Sequence, residues 1–142
     1  MRRTILRITL VVVTAFQVAL ALIFTFASGP FVAAVGLDPV PAWVPWIFAM
    51  FGARALGFAY GLVLAFRDPV RHRSWIVAMI GVQAIDWVTT LAFIATGLLT
   101  VAQASTALFL PPLFVVGLLI GFPRGGAFDV APVAPRPEHA AA

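Results

Sequence analysis

Four long apolar runs divide the chain, and its polar residues gather between the runs rather than within them. The runs cover residues 5–27, 43–66, 75–99 and 103–122. None alternates apolar and polar positions with period two, which argues against the strands of a membrane barrel. Each is long enough for a helix, rising 1.5 Å per residue, to cross a hydrocarbon core of about 30 Å. A backbone without water must satisfy its own hydrogen bonds, so helices are expected throughout. The pattern predicts an all-α, polytopic membrane protein: a four-transmembrane-helix bundle over residues 1–122. Residues 123–142 are rich in Pro and Ala and predict a disordered cytoplasmic tail.

The breaks between the runs have local causes. Ser28-Gly29-Pro30 is expected to end the first helix, and Asp38-Pro39-Val40-Pro41 cannot continue one. Phe31 to Leu37 is apolar and is expected at a membrane interface. Trp43, Trp46 and Trp75 open their runs where an aromatic belt belongs. The loop from Arg67 to Ser74 is short, so the second and third helices are expected side by side and antiparallel. Pro111-Pro112 falls inside the fourth run and predicts a kink.

Composition sharpens this picture. The hydrophobic fraction is 63% and only 10% of residues are charged, against roughly 45–50% and about 25% in soluble domains. That excludes an ordinary soluble enzyme or nucleic-acid-binding domain. All nine basic residues are Arg, the formal net charge is +4 and Cys is absent. Arg2, Arg3 and Arg7, then Arg67, Arg71 and Arg73, then Arg124 and Arg136 fall on one side of the expected topology. The positive-inside rule places that side, with both termini, in the cytoplasm. The first run has the Arg-rich start of a signal sequence, but its apolar stretch exceeds the roughly 7–15 residues of a signal core. A retained helix is therefore expected. The Arg-only, Ala-rich composition suggests a bacterial source and hence the cell inner membrane.

Two charges lie within the runs: Arg54 in the second and Asp86 in the third. Each costs about 2.5–3.5 kcal/mol at a helix centre on insertion scales, so each needs a partner or a purpose. Both fall near mid-membrane depth, which predicts an Arg54–Asp86 ion pair. Gln17, Gln83 and Thr90 extend the polar layer, with Gln83, Asp86 and Thr90 on one helix face. The layer could form a buried site, or it could hold helices together by interhelical hydrogen bonds. Ala53, Gly57 and Gly61 form a small-xxx-small stripe, expected to pack a neighbouring helix or a second copy. His72 and His139 lie outside the runs, and no metal, nucleotide or nucleophile motif is present. No metal, cofactor or catalytic residue is expected.

Gly52-Ala53-Arg54-Ala55-Leu56-Gly57, Arg67-Asp68-Pro69, Arg71-His72-Arg73, Gln83 and Asp86-Trp87 together resemble small four-helix bacterial membrane proteins of the BphX-like and DoxX-like type. The resemblance implies four membrane helices, with a Gly-rich second helix leading through a basic loop to a third helix bearing a polar residue. Some members are associated with oxidation or degradation gene clusters. No shared activity follows, and no catalytic residue is carried over.

These features lead to the expectation of a non-enzymatic accessory or structural subunit of a membrane complex. Its partners would be the lipid bilayer and other membrane subunits or further copies of itself, with no nucleic acid. The alternative is a small transporter, or a carrier of a lipid- or quinone-type ligand, using the midplane layer of Arg54 and Asp86.

Overall fold

A computed structural model describes residues 1–123. The expected tail beyond them, with Arg124 and Arg136, lies outside the described residues. Those residues form five helices and no strand: α1 (Arg2–Phe26), α2 (Ser28–Ala34), α3 (Val44–Arg67), α4 (Arg73–Ala95) and α5 (Ser105–Gly121). α1, α3 and α4 are long and apolar enough to cross a membrane, and α5 is a shorter apolar helix.

The helix ends follow from local chemistry. The first run stops at Phe26, but Ser28-Gly29-Pro30 does not leave a loop behind it; it starts α2. Pro30 sits in the first turn, where the backbone N–H has no helical acceptor, so the ring costs nothing there. The sequence pattern does not anticipate α2 as a helix. It closes with a Schellman motif: Leu37 N donates to the Val32 carbonyl at 3.0 Å, and Gly36 N to the Ala33 carbonyl at 3.1 Å. Gly36 supplies the left-handed turn, with φ +70. α4 ends in the same way, four residues before the end of its apolar run. Leu98 N bonds the Phe93 carbonyl, Gly97 N bonds the Ile94 carbonyl, and Gly97 has φ +73. Hydropathy continues to Leu99, but the glycine turns the backbone first.

Thr100 and Gln103 then form a capping box. The Thr100 N donates to Gln103 Oε1 at 2.9 Å, and Gln103 N donates to Thr100 Oγ1 at 3.3 Å. This turn delays α5 to Ser105, where the apolar run predicts a start at Gln103. α5 is continuous across Pro111-Pro112. The two rings supply no N–H, so the carbonyls of Ala107 and Leu108 lose their helical donors.

The helices pack around a core of Leu6, Leu10 and Val13 from α1, Leu62 and Ala65 from α3, Ile76 and Met79 from α4, and Phe114 and Leu118 from α5. The buried positions of α1 run Leu6, Leu10, Val13, Gln17, Ala21, the stripe of a helix with one inward face. α1 is the central element and packs along α3 and α5, while α4 packs on α5. α3 and α4 meet mainly near their short loop, where Trp75 lies against Gly61 and packs edge-on to Phe58 at 6.4 Å. The side-by-side packing expected of these consecutive helices is thus confined to one end. Asp68 builds the tight turn there, its carboxylate accepting from Arg71 N at 3.0 Å and its carbonyl from His72 N at 3.1 Å.

Glycines set the closest approaches. A Cβ on Gly52 would meet Thr25 and Ala21, and one on Gly121 would meet the Leu6 backbone. The expected packing stripe is therefore displaced. Gly61 is buried, but Ala53 and Gly57 are exposed, and a Cβ on Gly57 would meet nothing. The inward face of α3 is Gly52, Ala55, Ala59 and Leu62. Small residues are common enough on α3 to permit two registers, and the contact with α1 selects one.

The exterior is apolar on every long helix. Ile85 and Tyr60 are exposed to 66% and 65%, Phe109 and Leu113 to 65% and 64%. The buried polar side chains among the described residues are Gln17, Gln83 and Thr90. A soluble protein has the reverse arrangement, because water solvates polar groups and penalises large apolar patches.

Candidate functional site

The core fills only one end of the molecule. Toward the α2 end the helices surround a half-open cavity of about 780 Å³, on which Arg54 and Asp86 are exposed. Each helix contributes one face. From α1 come Phe16, Gln17, Leu20, Ile23 and Phe24, and from α3 come Phe51, Arg54, Ala55 and Phe58. From α4 come Val82, Gln83, Asp86, Thr89 and Thr90, all on a single stripe at helical spacing. α5 adds Thr106, Ala107, Leu110 and Pro111, and α2 adds Phe31 and Val35.

The walls differ in chemistry. α4 presents amide, carboxylate and hydroxyl groups, whereas α1, α2, α3 and α5 present mainly apolar side chains, with Gln17, Arg54 and Thr106 as the polar exceptions. The cavity is therefore amphipathic across its width. Its volume falls within the range of sites that bury a small ligand, about 300–1,000 Å³.

All five polar residues singled out in the sequence line this space: Gln17, Arg54, Gln83, Asp86 and Thr90. Counted from the helix ends nearest α2, Gln17, Arg54, Gln83 and Asp86 lie about 14–18 Å along their helices. They form one layer. The expected Arg54–Asp86 ion pair, however, is not made. Neither residue has a salt bridge or a side-chain hydrogen bond among the described residues. The Arg54 guanidinium carbon instead sits 5.5 Å from the Phe51 ring centroid, on its own helix. The reason lies in the packing: α3 and α4 touch near their loop, and the cavity separates their midpoints.

Met79 organises the floor of the cavity. It is fully buried, and its sulfur accepts hydrogen bonds from Gln17 Nε2 at 3.7 Å and Gln83 Nε2 at 3.4 Å. A thioether accepts but does not donate, so both amides turn their NH2 groups toward it. These contacts tie α1 to α4 across the bundle. Gln17 and Gln83 are only 7% and 5% exposed. Thr90 Oγ1 donates to the Asp86 carbonyl at 2.7 Å, the usual way a helical Thr satisfies its proton in an apolar setting.

α2 and the α4–α5 turn cover the other end. Phe31 packs edge-on with Phe24 and Phe48, at 5.2 and 5.9 Å between centroids, and Phe24 with Phe48 at 5.0 Å. This aromatic cluster seats α2 on α1 and α3. Gln103 Nε2 donates to the Gly36 carbonyl at 3.1 Å, joining two loops 67 residues apart in sequence. Sequence reasoning missed both Met79 and Gln103. The Thr100-x-x-Gln103 spacing could have revealed the capping role of Gln103. No local signal marks Met79, whose role exists only because the fold sets its sulfur within side-chain reach of Gln17 on α1.

The opposite end carries the basic residues. Arg2, Arg3, Arg7, Arg67, Arg71 and Arg73 stand at the free end of α1 and around the α3–α4 loop. Arg7 reaches across to the Phe66 ring at 5.6 Å, its stem lying along apolar surface. No cluster of three His, Asp or Glu side chains that could hold a metal occurs among the described residues.

No protein-family model, curated protein or solved structure matches this chain.

Proposed function

We propose that the chain is a four-helix integral membrane protein that holds an amphipathic small molecule in its inter-helical cavity. In this proposal α1, α3, α4 and α5 all cross the bilayer. The Arg-bearing end faces the cytoplasm and the α2 end faces outward, in a bacterial inner membrane. The protein acts by binding and carrying, alone or as the ligand-holding subunit of a larger membrane complex, and catalyses no reaction itself. The cavity thus favours the ligand-carrier alternative over a purely structural subunit.

One observation carries the proposal. The polar side chains at mid-helix depth converge on one half-open cavity, while the other faces of the same helices are apolar. Polar groups placed in a membrane interior are costly, and a packing role alone would bring them into mutual contact. Here Arg54 and Asp86 line a cavity without pairing. The apolar wall suits a hydrocarbon body, and the polar wall suits a head group.

The test is native mass spectrometry of protein extracted in a mild detergent. Thr106→Trp serves as the cavity-filling variant, since Thr106 lines the cavity but is not part of the packed core. The wild type is expected to retain a small amphiphile that the variant, equally helical by circular dichroism, has lost. Equal retention by both proteins, or retention by neither, would overturn the proposal.

A further inference from the structure

The hydrogen-bonding inventory of the cavity narrows the ligand, on the premise that the cavity is a ligand site. Free acceptors gather around the two glutamines and Asp86. Gln17 and Gln83 each commit one amide N–H to the Met79 sulfur. Among the described residues their carbonyl oxygens receive no hydrogen bond, yet no unpartnered side-chain polar atom is sealed off from the surface. Both oxygens therefore open to the cavity that the two residues line. Because both amides hang on one sulfur atom, their carbonyls belong to one short polar patch. Asp86, three residues beyond Gln83 on the same stripe, adds a carboxylate with no side-chain partner. The Ala107 carbonyl, deprived of its helical donor by Pro111, adds another acceptor on the α5 side.

Beside these stand donors: the Arg54 guanidinium, which is held beside Phe51, and the hydroxyls of Thr89 and Thr106, which line the same cavity. The formal charges of Arg54 and Asp86 cancel. A charged ligand would leave a net charge in a low-dielectric space, where the penalty is severe. An uncharged ligand avoids it. To match the acceptor patch it must bring O–H donors, and to match Arg54 it must offer an oxygen acceptor.

We propose that the cavity binds an uncharged amphiphile whose head carries at least two hydroxyl groups. The hydroxyls donate, one hydrogen each, within the acceptor patch formed by the Gln17 and Gln83 carbonyl oxygens and Asp86. An ester or ether oxygen beside the head accepts from Arg54. The hydrocarbon body lies against Phe16, Phe24, Phe31 and Phe58. A monoacylglycerol has this chemistry: two hydroxyls, one ester carbonyl, one chain and no charge.

The experiment places the full-length protein in phosphatidylcholine nanodiscs with one of three diazirine-bearing probes sharing the same acyl chain. These are a monoacylglycerol, a fatty acid and a fatty amine. Photolabelled positions are mapped by mass spectrometry. The monoacylglycerol is expected to label residues on the cavity faces of α3 and α4 about tenfold more than either charged probe, the ratio expected from satisfying two acceptors. Gln17→Leu/Gln83→Leu is expected to abolish that preference. Cavity labelling by the fatty acid or the amine that equals or exceeds the monoacylglycerol would overturn the hydroxyl assignment while leaving the cavity a ligand site. An unchanged preference in the double variant would also overturn it. Absence of cavity labelling by all three probes would mean that water alone meets these acceptors, and would sink the ligand site itself. The comparison of probes on the wild type needs no variant to fold.

Discussion

The crossing of α1 and α5 is close enough to support a test with internal controls. A Cβ placed on Gly117 would stand 2.6 Å from Thr9 Oγ1 and 3.0 Å from Thr9 Cγ2, against about 3.4 Å for ordinary contact. The helices must part by about 0.8 Å, or Thr9 must move. Overpacking of this kind costs about 1–3 kcal/mol. Alanine in mid-helix recovers about 1 kcal/mol over glycine, so Gly117→Ala alone is expected to cost about 1 kcal/mol net and at most about 2. The cleaner quantity is the coupling to Thr9→Ala. The helix-propensity gain is common to both backgrounds and cancels in a double-mutant cycle. Removing Oγ1 and Cγ2 should therefore return about 1–3 kcal/mol to Gly117→Ala.

Gly121 supplies the contrast. Its added Cβ would lie 2.6 Å from Leu6 Cβ, 2.8 Å from Leu6 Cα and 2.9 Å from Leu6 N. Those atoms persist in alanine, so Leu6→Ala cannot rescue Gly121→Ala. Gly57→Ala meets no atom and should be neutral or stabilising by up to about 1 kcal/mol. The assay is unfolding by sodium dodecyl sulfate titrated into dodecyl maltoside micelles, followed by far-ultraviolet circular dichroism. If Gly117→Ala loses as much with Thr9→Ala as without it, the close crossing of α1 and α5 at Thr9 is refuted.

Two further predictions concern the cavity floor and the orientation. Met79→Leu conserves volume, and such swaps usually cost less than about 1.5 kcal/mol. Here it strands two buried amide donors, so the loss in the same titration is expected to exceed that figure, and adding Gln17→Leu and Gln83→Leu should recover most of it. The absence of Cys allows single-cysteine labelling without background. Asp38→Cys and His72→Cys are expected to react with a membrane-impermeant maleimide from opposite sides of the membrane, and labelling from one side would refute the proposed orientation.

Much of this protein is legible in the chain alone, because the controlling forces are local or apply to whole segments. An apolar run that cannot solvate its backbone elsewhere becomes a helix, and α1, α3 and α4 emerge within a few residues of the runs that predict them. The polar layer is legible for the same reason. Arg54, Asp86, Gln17, Gln83 and Thr90 stand out against an apolar background, and all five line one cavity. The boundaries that hydropathy misjudges belong to backbone chemistry: the left-handed Gly97 ends α4 early, and the Thr100–Gln103 capping box starts α5 late.

What the tertiary structure alone decided is which polar residues meet. Equal depth made an Arg54–Asp86 pair reasonable, but depth is a single coordinate and contact requires three. α3 approaches α4 near their loop and lies along α1 elsewhere, which leaves the two charges on separate walls. The same rotation of α3 turns Gly52, Ala55 and Ala59 inward and leaves Ala53 and Gly57 outside, although either stripe has residues small enough to pack. Met79 is the clearest case. A methionine in an apolar run carries no distinguishing signal, and it becomes the acceptor for two glutamines only because the bundle brings its sulfur within side-chain reach of Gln17 on α1. Propensity and hydropathy act within a segment, whereas a site is a relation between segments, set by the close packing of side chains that lie far apart in the sequence.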